Sequence, residues 1–260
     1  MAMIKRLKLL IVFFVGCLST LYFLPLEAAN TCDKIVIAGE PGWPPYSYFK
    51  DGQMQGVGFD LAKKLVAELD LPVEVQEINS LSDLEHMLQR GHVDLLVATY
   101  DIIRYRDLVH LISPGYFEDV VSIIAPKSNQ MVFREWLDLM GYNGITSYNT
   151  QLGEAFTNFA QSYLNIRSEG SLEGLFKHLD NHTQDYVIGS AQFLKIGMMR
   201  YGQDDKLEFL PQSVSAQEVF FGIAVGSGCL VYAPFFKARM AALVKDQRLI
   251  DALLKEHSAE

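Results

Sequence analysis

Two stretches of the chain, ninety-one residues apart, repeat one pattern of apolar and polar residues. The first runs from Ser80 to Thr99, and the second runs from Ser171 to Ser190. In each, leucines at the first, fourth and eighth positions after the serine mark one face of a helix. An apolar run after an aspartate then marks a strand that is covered on both faces. The chain is therefore predicted to build two similar α/β halves.

The repeat also places two hydroxyl side chains at equivalent positions. Thr99 and Ser190 each stand at the end of the predicted strand of their copy. Ligands of open parallel sheets bind beyond the carboxyl ends of the strands, so these two residues are expected to face each other across a cleft. Chance similarity between two helix–strand pairs is the alternative, because α/β units resemble one another by pattern alone.

The amino-terminal residues 1–29 have the layout of a secretory signal peptide. Three basic residues precede an apolar run from Leu9 to Leu24, and the small residues Ala28 and Ala29 follow. Cleavage near the alanine pair is expected, with an uncleaved anchor helix as the alternative. Cys17 also resembles a site of lipid attachment. All of these readings predict a periplasmic or otherwise extracytoplasmic protein.

The charge of the remaining chain excludes one class of partner. Without residues 1–29 it has 19 basic and 30 acidic residues, a net charge of −11. Such a surface repels phosphate backbones, so nucleic acid is not expected as a partner. Half of the residues are hydrophobic, which is enough to bury a core in one large domain or in two lobes.

Two cysteines remain beyond the predicted signal, Cys32 and Cys229. Because disulfides form and persist in oxidising compartments outside the cytoplasm, a bond between them is expected. It would fasten the start of the mature chain to a late segment. Two unpaired thiols are the alternative.

No linker rich in proline, glycine or serine separates the halves. The chain is instead expected to cross between two lobes through extended segments near residues 117–122 and 210–217, and two crossings make a hinge. The predicted organisation is a signal peptide at 1–29, a discontinuous lobe 1 at 30–119 and 214–260, and a lobe 2 at 120–213.

The order of several short motifs resembles one known family. The motifs are Trp43-Pro44-Pro45-Tyr46, Gly58-Phe59-Asp60-Leu61-Ala62, Gly91 to Leu95, Arg106, and Ser113 with Tyr116-Phe117. Together they resemble the extracytoplasmic solute-binding proteins of amino-acid ABC transporters, family 3 type. The resemblance implies an α/β two-lobed clamshell of the type II periplasmic-binding-protein fold. Each lobe would be a mostly parallel sheet flanked by helices, with two crossover strands between the lobes.

The resemblance also implies a function. Such a clamshell closes around a small polar solute, here an amino acid or a related compound, and delivers it to a membrane ABC permease. The chain is expected to act as a monomer and to need no cofactor. No metal is expected either, because His178 and His182 are four residues apart without a third ligand.

Three residues match family positions that hold the backbone groups of an amino acid. Arg106 matches an arginine that clamps the α-carboxylate, a task that suits a planar guanidinium making two charge-assisted hydrogen bonds. Thr99 matches a contact to the amine or carboxylate. Thr150 matches a carboxylate-binding threonine just before a helix, whose first N–H groups would add to the site.

The first loop supplies the implied side-chain pocket. Trp43 and Tyr46 match aromatic positions that sandwich the solute, and aromatic faces also attract cations. Glu40 matches an acidic position that contacts cationic side chains in binders of basic amino acids. The alternative for the two rings is that they pack the loop against its own lobe.

Two residues depart from the family pattern. Asp101 stands where the family usually has serine or threonine, and Ser190 stands where it usually has an acidic residue for the α-amine. Asp101 could pair with Arg106, or it could take over the amine contact. The second hypothesis is favoured because it keeps one anion and one cation for a zwitterion. A solute that is not an α-amino acid is the other alternative.

The rival class is an enzyme on the same fold, similar to the periplasmic cyclohexadienyl dehydratases. Glu40 or Asp101 could serve as its general acid if burial raised the pKa. Catalysis is not expected, because the chain has no nucleophile elbow and no glycine-rich phosphate loop. A sensory module that binds solute without transport is the third class left open.

Overall fold

The computed structural model of the protein describes residues 31–148 and 150–258. From Cys32 onward the chain forms one compact unit. The predicted signal peptide and the lipid-attachment site at Cys17 lie outside the described residues. Within the described ranges, no helix has both the length and the apolar character needed to cross a membrane.

Strands and helices alternate along most of the chain. The strands are β1 (Ile35–Ala38), β2 (Gly42–Trp43), β3 (Ser47–Lys50), β4 (Gln53–Gln55), β5 (Val73–Val75), β6 (Leu95–Thr99), β7 (Val109–Pro126), β8 (Asn143–Ser147), β9 (Asn165–Glu169), β10 (Tyr186–Ser190), β11 (Leu207–Phe209) and β12 (Ser215–Ala224). The helices are α1 (Val57–Ala67), α2 (Leu81–Gln89), α3 (Glu154–Tyr163), α4 (Leu172–Asp180), α5 (Ala191–Arg200), α6 (Ala233–Leu243) and α7 (Arg248–Ser258).

Most strands join one sheet in the order β5-β1-β6-β12-β7-β10-β8-β9, with β11 paired to β7. β1 runs parallel to β5 and β6, and β8 runs parallel to β9 and β10. The two central strands, β12 and β7, are antiparallel to their neighbours and link these two parallel groups. The predicted α/β fold class, two mostly parallel groups of strands with two crossover strands, is confirmed.

The crossings run inside the two central strands. β7 is 18 residues long, and its first half pairs with the end of β12 while its second half pairs with the start of β12. The register shifts between Val219 and Phe221. The first predicted crossing, 117–122, lies within β7. The second, 210–217, overlaps β12 only from Ser215 onward, because the strand begins there.

The apolar core divides in the same way. Two clusters of buried residues draw only on residues 35–116 and 219–254 and form a first core, and two others draw only on residues 121–214 and form a second core. Val214 packs with the second set, one residue beyond the predicted limit of lobe 2. The lobe boundaries themselves stay a prediction, since the described chain is one compact unit.

The sequence repeat corresponds to a repeat in the structure. α2 and α4 have the same length and are offset by ninety-one residues, as are β6 and β10. Ser80 and Ser171 cap these helices by accepting a backbone N–H at 3.2 and 3.0 Å. Asp94 and Asp185 each accept a backbone N–H from a neighbouring strand, at 2.8 and 2.7 Å. The two units are therefore built by the same local interactions, and chance similarity does not explain them.

Two long-range contacts fasten the ends of the described chain to the first core. Cys32 and Cys229 form the predicted disulfide, which joins the segment before β1 to the turn after β12. His257, on α7, is buried. Its Nδ1 is hydrogen-bonded to the Tyr48 hydroxyl and its Nε2 to the Asp60 carboxylate, both at 2.8 Å. The last helix is thereby held against α1 and β3.

Candidate binding cleft

A cleft lies at the carboxyl ends of β6 and β10, the two strands of the repeat. Thr99 ends β6 and Ser190 ends β10, and the structure brings both to the wall of the cleft. The cleft contains about 740 Å³ of empty space, part of it open to solvent. A concave wall of apolar and aromatic side chains with a few polar groups is typical of small-molecule sites.

The wall of the cleft combines aromatic, aliphatic and hydroxyl groups from both parallel groups of strands. The aromatic residues are Trp43, Tyr100, Tyr105, Tyr148 and Phe193, and the hydroxyl residues are Thr99, Ser147, Thr150 and Ser190. Among the described lining residues, the acid is Glu40 and the base is Arg104. The cleft is therefore mainly apolar, with few charges and many neutral hydrogen-bonding groups.

The structure does not place Arg106 or Asp101 in the cleft. Their side chains are 63% and 59% exposed and pair with each other at 3.4 Å on the outer surface. The cause is a short 3-10 turn, Ile103–Tyr105, which follows β6 and redirects the loop. The pairing of Asp101 with Arg106, the less favoured of the two hypotheses, is the one observed here, and the solute contacts expected of both residues stay a prediction.

Arg104, two residues earlier, lines the cleft instead. Its Nε lies 3.0 Å from Glu85 Oε1, and this ion pair holds the guanidinium at the cleft wall. Glu40 lies within electrostatic reach of the same group. Burial raises the pKa of Glu40 to about 7, although the charge of Arg104 opposes that rise. Arg104 was not predicted to line the cleft, because the spacing of the family motif points to Arg106.

The two predicted aromatic residues occupy different layers. Trp43 lines the cleft, and its ring centroid lies 4.6 Å from that of Tyr100 and 5.0 Å from that of Tyr46. Tyr46 is fully buried behind it and is not part of the wall. Packing within the lobe, the alternative for these rings, therefore describes Tyr46, whereas Trp43 lies on the cleft wall.

Thr150 lines the cleft as expected, but its helix begins later than predicted. α3 starts at Glu154, and the preceding Gly153 has a φ of 83°, a conformation that glycine adopts easily. The N–H of Thr150 bonds instead to the carbonyl of Ser147 at 3.2 Å. The first N–H groups of the helix are thus separated from Thr150 by a short loop.

Behind the cleft wall lies a carboxylate that sequence analysis did not single out. Asp119, on β7, has no exposed surface. Its Oδ1 accepts hydrogen bonds from Ser190 Oγ at 2.7 Å and Tyr46 Oη at 3.1 Å, and its Oδ2 accepts one from Tyr100 Oη at 2.6 Å. Burial raises the pKa of Asp119, and the three hydrogen bonds oppose that rise. The period-two alternation of a strand was the available signal, because it turns Glu118 outward and Asp119 inward.

The family model for bacterial extracellular solute-binding proteins, family 3, matches residues 35–252. The chain belongs to this family. The family suspected from the motifs is thereby confirmed, and the match covers all the described strands and most of the helices of the solute-binding protein.

Solved structures share the fold at low sequence identity. The GluR0 ligand-binding core in complex with L-glutamate has a TM-score of 0.70 at 16% identity, covering 86% of this chain and 97% of that one. An amino acid ABC transporter substrate-binding protein, AbpA of Streptococcus pneumoniae, bound to L-arginine, has a TM-score of 0.67 at 19% identity, covering 87% of this chain and 95% of that one. These similarities establish the clamshell fold of the solute-binding protein.

One curated relative is an enzyme. Membrane-bound lytic murein transglycosylase F of Idiomarina loihiensis is 34% identical over 79 residues, which are 30% of this solute-binding protein and 17% of that relative. The match thus spans less than a fifth of the enzyme's length.

Proposed function

We propose that the protein binds a small polar solute, an amino acid or a related compound, in this cleft and delivers it to an ABC permease. The observation that carries the proposal is the position of the cleft. It lies at the ends of two equivalent strands, and both parallel groups of strands contribute to its wall. Membership of a solute-binding family and a concave wall that combines aromatic and polar side chains support the proposal.

Arg104 has the chemistry to bind a carboxylate of the solute, the task predicted for Arg106. Glu85 positions the guanidinium at the wall, and Ser147 and Thr150 line the same cleft. A guanidinium makes strong, directional bonds to carboxylates. Trp43 offers an aromatic face to an apolar or cationic part of the solute.

Binding is coupled to closure in this proposal. Lobe 1, residues 30–119 and 214–260, and lobe 2, residues 120–213, would rotate about β7 and β12, the strands that join the two parallel groups. A solute that contacts both lobes stabilises the closed form. The closed form would then be the one that a permease recognises.

A thermal-shift screen of the whole protein tests the proposal. Ligand at a thousandfold excess over Kd stabilises a protein by about 4 kcal/mol. At this chain length that free energy corresponds to a rise in Tm of about 8–16 °C. The screen contains amino acids, small amines, organic acids and prephenate. We expect one class to raise Tm, and failure of every class would contradict the proposal.

Transport and sensing predict the same thermal shift, so a second assay separates them. Uptake of the stabilising solute, labelled, is compared in cells with and without this protein. We expect uptake to fall when the protein is absent, and unchanged uptake would favour a sensory module.

The second candidate function is a dehydratase-type enzyme, and the state of Glu40 is the observation that favours it. A carboxyl whose pKa is raised to about 7 is partly protonated at neutral pH and is able to donate a proton inside the cleft. Catalysis would then fall as pH rises through about 7, because the acid form is lost. Product analysis of the prephenate sample decides this candidate, and unchanged prephenate excludes it.

A further inference from the structure

The carboxylate of Asp119 is buried behind the cleft wall. Its partners are the hydroxyls of Tyr46, Tyr100 and Ser190, and in the described part of the chain no ion pair includes it. A buried charge is costly to maintain unless it is well hydrogen-bonded. Three hydrogen bonds meet that requirement, and they also fix the direction of each hydroxyl.

An ionised carboxylate only accepts hydrogen bonds, so its three partners must donate. The protons of Tyr100 and Ser190 therefore point away from the cleft that both residues line. Thr99, beside them, gives its proton to the carbonyl of Tyr100 at 3.0 Å. One lone pair of Ser190 Oγ receives a long bond from the N–H of Phe193, at 3.4 Å. The lone pairs that remain on these hydroxyls are acceptors for a solute.

We propose that Asp119 determines the specificity of the cleft by acting through the hydroxyls of Tyr100 and Ser190 to select solutes that carry a protonated amine. The inference rests on the proposed binding function and deepens it. Asp119 is a positioning residue here, because the hydroxyls and not the carboxylate contact the solute. Acceptors that are polarised by a carboxylate bind cationic donors more strongly than isolated hydroxyls do.

The geometry also explains a departure found in the sequence. Ser190 stands where the family resemblance implies an acidic residue for the amine. The negative charge is present one layer deeper, 2.7 Å from Ser190 Oγ, on a strand of the crossing. Trp43, in tilted contact with the Tyr100 ring, adds an aromatic face that attracts the same cation. Arg104 on the wall then remains for a carboxylate.

The test compares wild-type protein with Asp119→Asn. Asparagine keeps the shape of the side chain, and its Oδ1 still accepts from Tyr46 and Ser190. Its amide N–H donates to the Tyr100 hydroxyl, however, so that the hydroxyl proton turns toward the cleft and opposes an ammonium. The matched control is Glu118→Gln, which removes the same charge from the adjacent, exposed position of β7.

Calorimetric titrations use three pairs of probes that differ only in the amine. The pairs are L-leucine with isocaproate, L-phenylalanine with hydrocinnamate, and L-arginine with δ-guanidinovalerate. We expect the wild type to bind an amine-bearing member and to bind its deaminated partner far more weakly. Asp119→Asn should weaken binding of the amine-bearing probe by about tenfold, whereas Glu118→Gln should leave that affinity unchanged.

Either of two results would overturn the inference and leave the proposed function standing. In the first, folded Asp119→Asn binds the amine-bearing probe as tightly as the wild type does. In the second, the wild type binds the deaminated partner as tightly as the amine-bearing probe. Absence of binding by every probe, together with a negative thermal screen, would contradict both. Tyr100→Phe is the second variant if Asp119→Asn does not fold. It removes one acceptor and keeps the carboxylate. It should also weaken binding of the amine-bearing probe.

Discussion

Replacing Cys32 and Cys229 by alanine should lower the free energy of unfolding by about 2–5 kcal/mol. The disulfide closes a loop across a sequence separation of 197 residues, and long loops lose the most entropy in the unfolded chain when they are cross-linked. Cys229 is also buried in the first core, so its removal leaves a small void. Urea unfolding of the oxidised wild type and the double variant measures the difference.

Wild-type protein in reductant is the internal control for this prediction. Reduction should lower its stability toward that of the double variant, while the double variant should not respond to reductant. Equal unfolding midpoints for the oxidised wild type and the double variant would contradict the prediction. Such a result would mean that the bond joining the start of β1 to the turn after β12 is not a major source of stability.

Substituting Arg104 by glutamine should weaken binding of a carboxylate-bearing solute by about 100-fold or more. A guanidinium that makes paired, charge-assisted bonds to a carboxylate in a partly desolvated cleft contributes several kcal/mol of affinity. The matched variant is Arg106→Gln, which removes the same charge from the same loop. Its pair with Asp101 is exposed and weak, so affinity should change by less than about threefold.

Isothermal titration of both variants with the solute found in the thermal screen measures these affinities. The opposite ranking, in which Arg106→Gln loses binding and Arg104→Gln keeps it, would show that the loop of residues 101–106 adopts another conformation around the solute. In that case the role implied by the family resemblance would return to Arg106.

Much of the fold was predictable because its signals are local and repeated. The leucine spacing after Ser80 and Ser171 defines two helices, and the aspartates that precede β6 and β10 set the start of each strand. Hydrophobic periodicity reports on which face of an element is buried, and that information does not depend on distant contacts. The exact crossing point in β12 was less predictable, because it depends on pairing with β7.

The site was predictable only where a residue's position follows from the end of a strand or the order of motifs. Thr99 and Ser190 lie in the cleft because each ends a buried strand of the repeat. Arg106 does not, since a single 3-10 turn rotates the loop and brings Arg104 to the wall. Strand alternation indicates that Asp119 faces inward, but its role was not predictable, because its hydrogen-bond partners come from three separate segments.

The central claim is that a small solute binds in the cleft between the two groups of strands. The chain contains two tryptophans, and Trp43 lines the cleft while Trp136 packs in the second core. The variant Trp136→Phe therefore leaves Trp43 as the single reporter. Titration of this variant with the solute from the thermal screen should change the Trp43 fluorescence until the change saturates. The Kd from this curve should equal the Kd from calorimetry. Calorimetric saturation without any change in Trp43 emission would contradict the claim.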